Sequence, residues 1–229
     1  MNTPKKILII GAHGKIGQLL TKKLAASGDH QPVAFLRKEE QKSDFKGIET
    51  ETVIGNLEDS VADLSEKFKG CDAVVFTAGS GGSTGADKTL AIDLDGAVRS
   101  MEAAEKAGIK RFIMVSAAGS DIREFWDKAG MKPYYVAKHY ADRMLRATNL
   151  DYTILRPVRL TDDEETGRFT AAPEPDGLNQ DITRADVAAS IVYLLNDETS
   201  FGQTIEISNG EATVGDAIKA AVGSDAVHA

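Results

Sequence analysis

The stretch Ile7-Leu8-Ile9-Ile10-Gly11-Ala12-His13-Gly14-Lys15-Ile16-Gly17 decides the fold. Four consecutive aliphatic residues ended by a glycine are too short for a helix and suit a strand buried on both faces. The next segment, Lys15–Ala25, puts Ile16, Leu19, Leu20 and Leu24 on one helical face. Between strand and helix, Gly11, Gly14 and Gly17 form a GxxGxxG turn. The first glycine permits a tight turn, the second lets backbone approach a pyrophosphate, and the third allows close helix–strand packing. Free N–H groups at the helix start, and the helix dipole, favour an anion there. The pattern predicts a dinucleotide site whose phosphate turn comprises Gly11, His13, Gly14, Lys15, Ile16 and Gly17. His13 either contacts the phosphates or is an exposed ring of the turn.

Working outward, apolar runs of strand length alternate with helical segments. Val33–Leu36, Thr52–Ile54, Ala73–Thr77, Phe112–Val115, Tyr152–Leu155 and Thr204–Ile207 read as strands. Helices are predicted around Val61, Leu64 and Phe68, over Thr89–Ala107, Tyr135–Thr148 and Ala185–Leu195, and over Val214–Ala221. Near-continuous apolar strands separated by helices predict a Rossmann-like, doubly wound parallel sheet in three α/β/α layers. Residues 1–229 read as one such domain. The acidic turn Asp162–Glu165 and the stretch Ala172–Gly177 read as a solvated excursion after the sixth strand, either a small substrate region or a plain surface loop.

The 229 residues are 42% hydrophobic and 27% charged, as in a globular protein, with a net charge of -8. That balance argues against nucleic acid or an anionic membrane as partner, since phosphate surfaces need clustered Lys and Arg. No run approaches the roughly twenty apolar residues of a membrane span, and no leader is visible, so a cytoplasmic protein is expected. The single Cys71 excludes an intrachain disulfide and reads as a small buried hydrophobe. His30, His139 and His228 lack metal-ligand spacing, and no metal is expected.

Charge after the second strand bears on which dinucleotide binds. NAD binders usually place an acid there to accept from the ribose 2′-hydroxyl. Here the strand runs into Arg37-Lys38, and a guanidinium can fork onto a 2′-phosphate. NADP is favoured over NAD, although Glu39 and Glu40 follow at once and a shift of register would bring an acid to that position.

The chain resembles the short-chain dehydrogenase/reductase superfamily, in its atypical, NmrA-like and epimerase-like branch. The likeness is carried by GAHGKIG at 11–17, GNLED at 55–59, TAGSGG at 77–82, VSAAG at 115–119, YYVAK at 134–138, LRPV at 155–158 and TRADVA at 183–188. It implies that Asn56 and Leu57 border the adenine, that Ala78 and Gly79 line the ribose and nicotinamide side, and that Pro157 and Val158 lie near the carboxamide. It also implies hydride transfer coupled to proton transfer at a carbonyl or alcohol, with the nicotinamide supplying the hydride. A tyrosine, with a free pKa of about 10, needs help to act as a base at neutral pH. A lysine at i+4 shares its helical face and stabilises the phenolate. Tyr134 and Lys138 have that spacing, with Lys138 also contacting the ribose and Tyr135 as a competing ring. Ser116 would bond the substrate oxygen, with Ser120 a nearby rival. Where epimerase-type relatives have asparagine in the fourth helix, this chain has Asp93, or Asp95 at the relevant position.

Three functions fit these residues. One is an NADP(H)-dependent oxidoreductase or epimerase-like enzyme acting on a small carbonyl, alcohol or sugar-like substrate. A second is a non-catalytic NADP(H) sensor, favoured by the acid in place of asparagine. A third is a flavin or quinone reductase that depends less on Tyr134. A monomer or a homodimer is expected.

Overall fold

Ile7, Leu8, Ile9 and Ile10 are completely buried at the centre of the sheet, as their uninterrupted apolar run requires. The structure is a computed structural model that describes residues 3–81 and 84–224. Gly82, Ser83 and His228 lie outside the described residues. In chain order the elements are β1 (Lys5–Ile10), α1 (Lys15–Ser27), β2 (His30–Leu36), β3 (Glu51–Ile54), α2 (Val61–Phe68), β4 (Ala73–Phe76) and α3 (Ala86–Lys88). A π-wound segment, Thr89–Gly96, leads into α4 (Ala97–Lys106), β5 (Arg111–Val115), α5 (Arg123–Lys128), α6 (Lys132–Arg146) and β6 (Asp151–Pro157). The chain closes with β7 (Arg159–Thr161), β8 (Phe169–Ala172), β9 (Asp181–Thr183), α7 (Arg184–Leu194), β10 (Gln203–Asn209) and α8 (Val214–Ser224).

The main sheet has the order β3-β2-β1-β4-β5-β6-β10-β8. Its strands are parallel except β8, which runs antiparallel to β10 at the edge. Alternate side chains feed two cores. Ile7, Ile9, Val75 and Leu155 pack under α1, α7 and α8, while Leu8, Ile10, Phe76 and Ile154 pack under α2, α4 and α6. This is the expected doubly wound, three-layer arrangement. Because both faces are apolar, the hydrophobic pattern alone specifies register only weakly. Polar pairs supply part of what is missing: Arg156 and Glu206 are direct cross-strand partners on β6 and β10.

Four stretches differ from the sequence expectation. The helix expected over Thr89–Ala107 is regular only from Ala97, because its first eight residues are π-wound. A period count misses this, since a π turn displaces the apolar stripe without interrupting it. Helix α6 starts at Lys132, earlier than expected, with Pro133 in the first turn where its missing N–H costs nothing. The loop before it contains α5, pinned by the buried Trp126. The excursion after β6 is not simply solvated, because β7 pairs with β9 and β8 extends the main sheet. Its acids are tied down, Asp162 to Lys15 and Arg184 and Glu165 to Lys23. Asp186 on α7 organises it further, accepting from the backbone N–H groups of Thr166 and Gly167. Cys71 is half-buried rather than fully buried, and burial pushes its thiol up to about 11. Among the described residues no helix is long and apolar enough to cross a membrane.

Candidate functional site

The carboxyl ends of β1 to β4 open onto a cleft of about 430 Å³, at the point where strand order reverses around β1. Doubly wound sheets bind ligands at such a point. The glycine turn forms its floor. Gly11 has φ +86, and a Cβ there would come within 2.6 Å of the Ala78 backbone nitrogen. A Cβ on Gly17 would come within 2.3 Å of the Gly11 carbonyl and 2.6 Å of the Ala12 Cα, so this glycine sets how closely α1 approaches β1. Gly14 is different: its nearest obstacle is the Gly11 carbonyl at 3.1 Å, and it lines the cleft. No side chain caps the first turn of α1, and no acid lies in it. The helix therefore presents uncapped amides beside an open cleft, which suits a diphosphate.

The other residues singled out for the dinucleotide divide by position. His13, Arg37, Asn56, Leu57, Ala78 and Gly79 all line the cleft. His13 shares a 2.6 Å hydrogen bond between its Nδ1 and Asp44 Oδ2. The exposed Arg37 sits on a bend held by Gln41, whose Oε1 accepts from the Arg37 and Lys38 backbone N–H groups at 2.9 and 3.1 Å. Lys15, Ile16 and Lys38 do not line it. Lys15 reaches Asp162, Ile16 packs against the core, and Lys38 is exposed. Pro157 and Val158, at the end of β6, also lie outside this cleft, where the Val158 N–H donates to the Ile207 carbonyl at 3.1 Å.

Tyr134, Lys138 and Asp93 come together beside the end of β5, where Ser116 follows Val115. Lys138 is buried, with its Nζ 5.6 Å from the centre of the Tyr134 ring, 3.3 Å from the Val115 carbonyl oxygen and 3.5 Å from Asp93 Oδ1. Asp93 is 2% exposed, and its Oδ2 accepts from the Ser80 N–H at 2.9 Å. Asp95 instead pairs with Arg99 at the surface. Tyr135 stacks edge-on between Phe125 and Tyr134, and burial pushes its hydroxyl up to about 12. Ser120 spends its proton on the Ala117 carbonyl at 2.6 Å. Each rival thus has a different neighbour. Burial raises the Tyr134 hydroxyl above its ordinary value; Lys138 opposes this, and the Asp93 and Asp142 carboxylates reinforce it.

Behind Ser116 lies a buried ionic network that the sequence reading did not identify. Ser116 Oγ donates to Asp142 Oδ2 at 2.9 Å, and Arg156 donates to the same oxygen through Nε and a terminal nitrogen at 2.9 and 2.7 Å. Arg156 also reaches Glu206 at 3.2 Å and Asp121 at 2.8 Å. One guanidinium thus serves three carboxylates. Burial pushes Glu206 up to about 7 and raises Asp142 despite its pairing, whereas the more exposed Asp121 is held low by Arg156 and Arg146. The available sequence signal was a single charge inside each of two apolar strands, Arg156 in TILRP and Glu206 in TIEI.

Comparison with known proteins agrees with this geometry. A sequence profile described as NAD(P)H-binding matches residues 11–198. The uncharacterized sugar epimerase YhfK of Bacillus subtilis (strain 168) is 46% identical over 214 residues, covering 93% of this chain and 99% of its own. A Bacillus halodurans structure, provisionally described as an NAD-dependent epimerase/dehydratase, superposes with a TM-score of 0.87 at 42% identity, over 94% of this chain and 99% of that one. The oxidoreductase ylbE of Lactococcus lactis gives a TM-score of 0.84 at 35% identity, over 95% and 97%. The chain belongs to the NAD(P)H-binding family, in keeping with the atypical short-chain dehydrogenase/reductase likeness of its motifs.

Proposed function

We propose that the protein is an NADP(H)-dependent oxidoreductase that reduces a small carbonyl compound. The observation that carries this reading is the buried Lys138 against Tyr134, together with a cleft that the Gly11–Gly14 turn lines beside the uncapped start of α1. Gly11, Gly14 and Gly17 would shape the diphosphate cradle, with the first-turn amides of Lys15 and Ile16 facing the anion. His13 and Arg37 would flank the 2′-phosphate, Lys38 adding charge nearby. Asn56 and Leu57 would border the adenine. Ala78, Gly79, Pro157 and Val158 would lie along the nicotinamide half, with Lys138 on its ribose. Arg37 offers five donors and no acceptor, which suits a phosphate better than a ribose hydroxyl.

When bound, the reduced nicotinamide supplies a hydride to the carbonyl carbon. Tyr134 Oη gives the carbonyl oxygen its proton, and the phenolate left behind recovers one from water. Ser116 Oγ donates its hydrogen bond to Asp142, so the hydroxyl is oriented before substrate arrives and has lone pairs rather than a proton to offer. Tyr134 is then the donor to the carbonyl oxygen, and Ser116 can bond that oxygen only by turning its hydroxyl away from Asp142.

A panel of small aldehydes, ketones and quinones, followed by NADPH consumption, tests this. Tyr134→Phe is expected to slow turnover of an accepted carbonyl by about 10²–10⁴-fold, the usual worth of a positioned proton donor. An unchanged rate would remove Tyr134 from the chemistry. The second reading, a non-catalytic NADP(H) sensor, is favoured by one observation: Ser116 and Tyr134 do not line the cleft. Tight NADPH binding with no turnover across the panel would select it.

A further inference from the structure

Asp93 does more than replace an amide. Its segment is π-wound between two stretches of α-helix, and such turns recur where a helix delivers a side chain to a site. One carboxylate oxygen fastens the loop after β4 through the Ser80 N–H, and the other lies 3.5 Å from Lys138 Nζ. The remaining contact of that ammonium is the Val115 carbonyl at 3.3 Å. Lys138 therefore sits over the ring of Tyr134, 5.6 Å from its centre, with both polar contacts directed elsewhere. No hydrogen bond from a described residue reaches the Tyr134 hydroxyl.

We infer that Asp93 is a positioning residue that holds the Lys138 charge in an ion pair, so that Tyr134 stays a neutral phenol and the site gives a proton rather than takes one. The consequence is directional and rests on the oxidoreductase reading above. Carbonyl reduction needs a protonated Tyr134: hydride goes to carbon, the Oη proton goes to oxygen, and an alcohol, oxidised nicotinamide and a phenolate result, the phenolate regaining a proton from water. Alcohol oxidation needs the phenolate first, and at neutral pH that form is scarce. Lysine beneath the tyrosine would ordinarily favour the phenolate. Here a carboxylate lies within ion-pair distance of that lysine.

The charged groups around the pair support the same balance. From the π-wound segment comes Asp93, and from α6 itself Asp142. Arg156 of β6 lies behind Asp142, but it is shared with Glu206 of β10 and Asp121. Both the Tyr134 hydroxyl and the Lys138 ammonium are held above their ordinary values. For Lys138, burial acts downward but is outweighed by Tyr134, Asp93 and Asp142.

The test is an ultraviolet tyrosinate titration of the full-length protein without nucleotide or substrate, so it stands apart from the identity of either. The component absent from Tyr134→Phe reports Tyr134. Asp93→Asn, which retains an oxygen for the Ser80 N–H, is expected to lower its midpoint from its raised position by about one pH unit or more, burial still acting upward. Asp93→Glu is expected to restore it. In a Lys138→Met background the same Asp93→Asn change is expected to have a much smaller effect, because the ammonium it releases is gone. A midpoint that stays put, or an equal shift in both backgrounds, would overturn the inference. A merely loosened site would lower the midpoint alike with Lys138 present or replaced. If the midpoint falls as expected but the protein binds no nicotinamide nucleotide, the electrostatic device stands and the oxidoreductase reading fails.

Discussion

The two halves of the sheet's carboxyl edge are built by opposite means. Around β1, β2 and β4 the surface is an open cleft that combines a glycine turn and the uncapped start of α1 with mostly uncharged side chains and the exposed Arg37. Around β5, β6 and β10 the functional groups are buried side chains, with Arg156 serving Asp142, Glu206 and Asp121 beneath Ser116. A common ligand part such as a diphosphate can be held by shape and peptide dipoles that folding provides in any case. Orienting a hydroxyl for chemistry needs fixed charges out of water, and these are costly unless each is paired.

The comparison can be broken most forcefully at Arg156. Arg156→Met removes the one cation that, among the described residues, pairs with Asp142 and Glu206, and leaves both carboxyls buried. Urea unfolding at neutral pH is expected to show a loss of about 3–5 kcal/mol, the usual result of stranding a buried charge. A loss within experimental error would mean the network is structurally idle.

The next effect is a pH dependence. The Glu206 carboxyl is pushed up to about 7, chiefly by burial. The native state therefore holds this proton more tightly than the unfolded chain does. Its contribution to stability is fully present below the unfolded value of about 4.3 and is lost as pH rises through about 7. Glu206→Gln is expected to remove that slope. Unfolding free energies of the variant minus those of the parent should rise by on the order of 3 kcal/mol from acid to pH 8 or so. A difference that is flat with pH would show that Arg156 fully compensates Glu206.

The smallest effect belongs to the open half. Gly17→Ala places a methyl carbon 2.3 Å from the Gly11 carbonyl and 2.6 Å from the Ala12 Cα, and both obstacles are backbone, so the turn itself must move. A stability loss of about 1–3 kcal/mol is expected. NADPH affinity should fall with it, whereas Gly28→Ala, with nothing within 4 Å of its Cβ, should leave affinity unchanged. Equal affinity losses for the two variants would separate the glycine turn from cofactor binding.

How much was legible follows from the same contrast. The strands and helices around the first crossover and the glycine cradle come from contiguous residues whose apolar period and turn chemistry are local properties. The ionic network is assembled from residues far apart in the chain, at Asp121, Asp142, Arg156 and Glu206, and no local pattern links them. The π turn at Asp93 and the pairing of β7 with β9 were hidden for a related reason. Neither interrupts a period, and the short strands lie in a polar stretch where composition points to a loop. For the candidate site, motif order named Ser116, Tyr134, Lys138 and Asp93, but the Lys138–Asp93 contact and the Asp142 partner of Ser116 became visible only in three dimensions.

The most direct measurement is a calorimetric titration of the full-length protein with NADPH and, separately, NADH at one ionic strength. Saturable binding is expected, with NADPH about tenfold tighter or more through the guanidinium of Arg37. No heat of binding with either nucleotide, or a clear preference for NADH, would contradict the account.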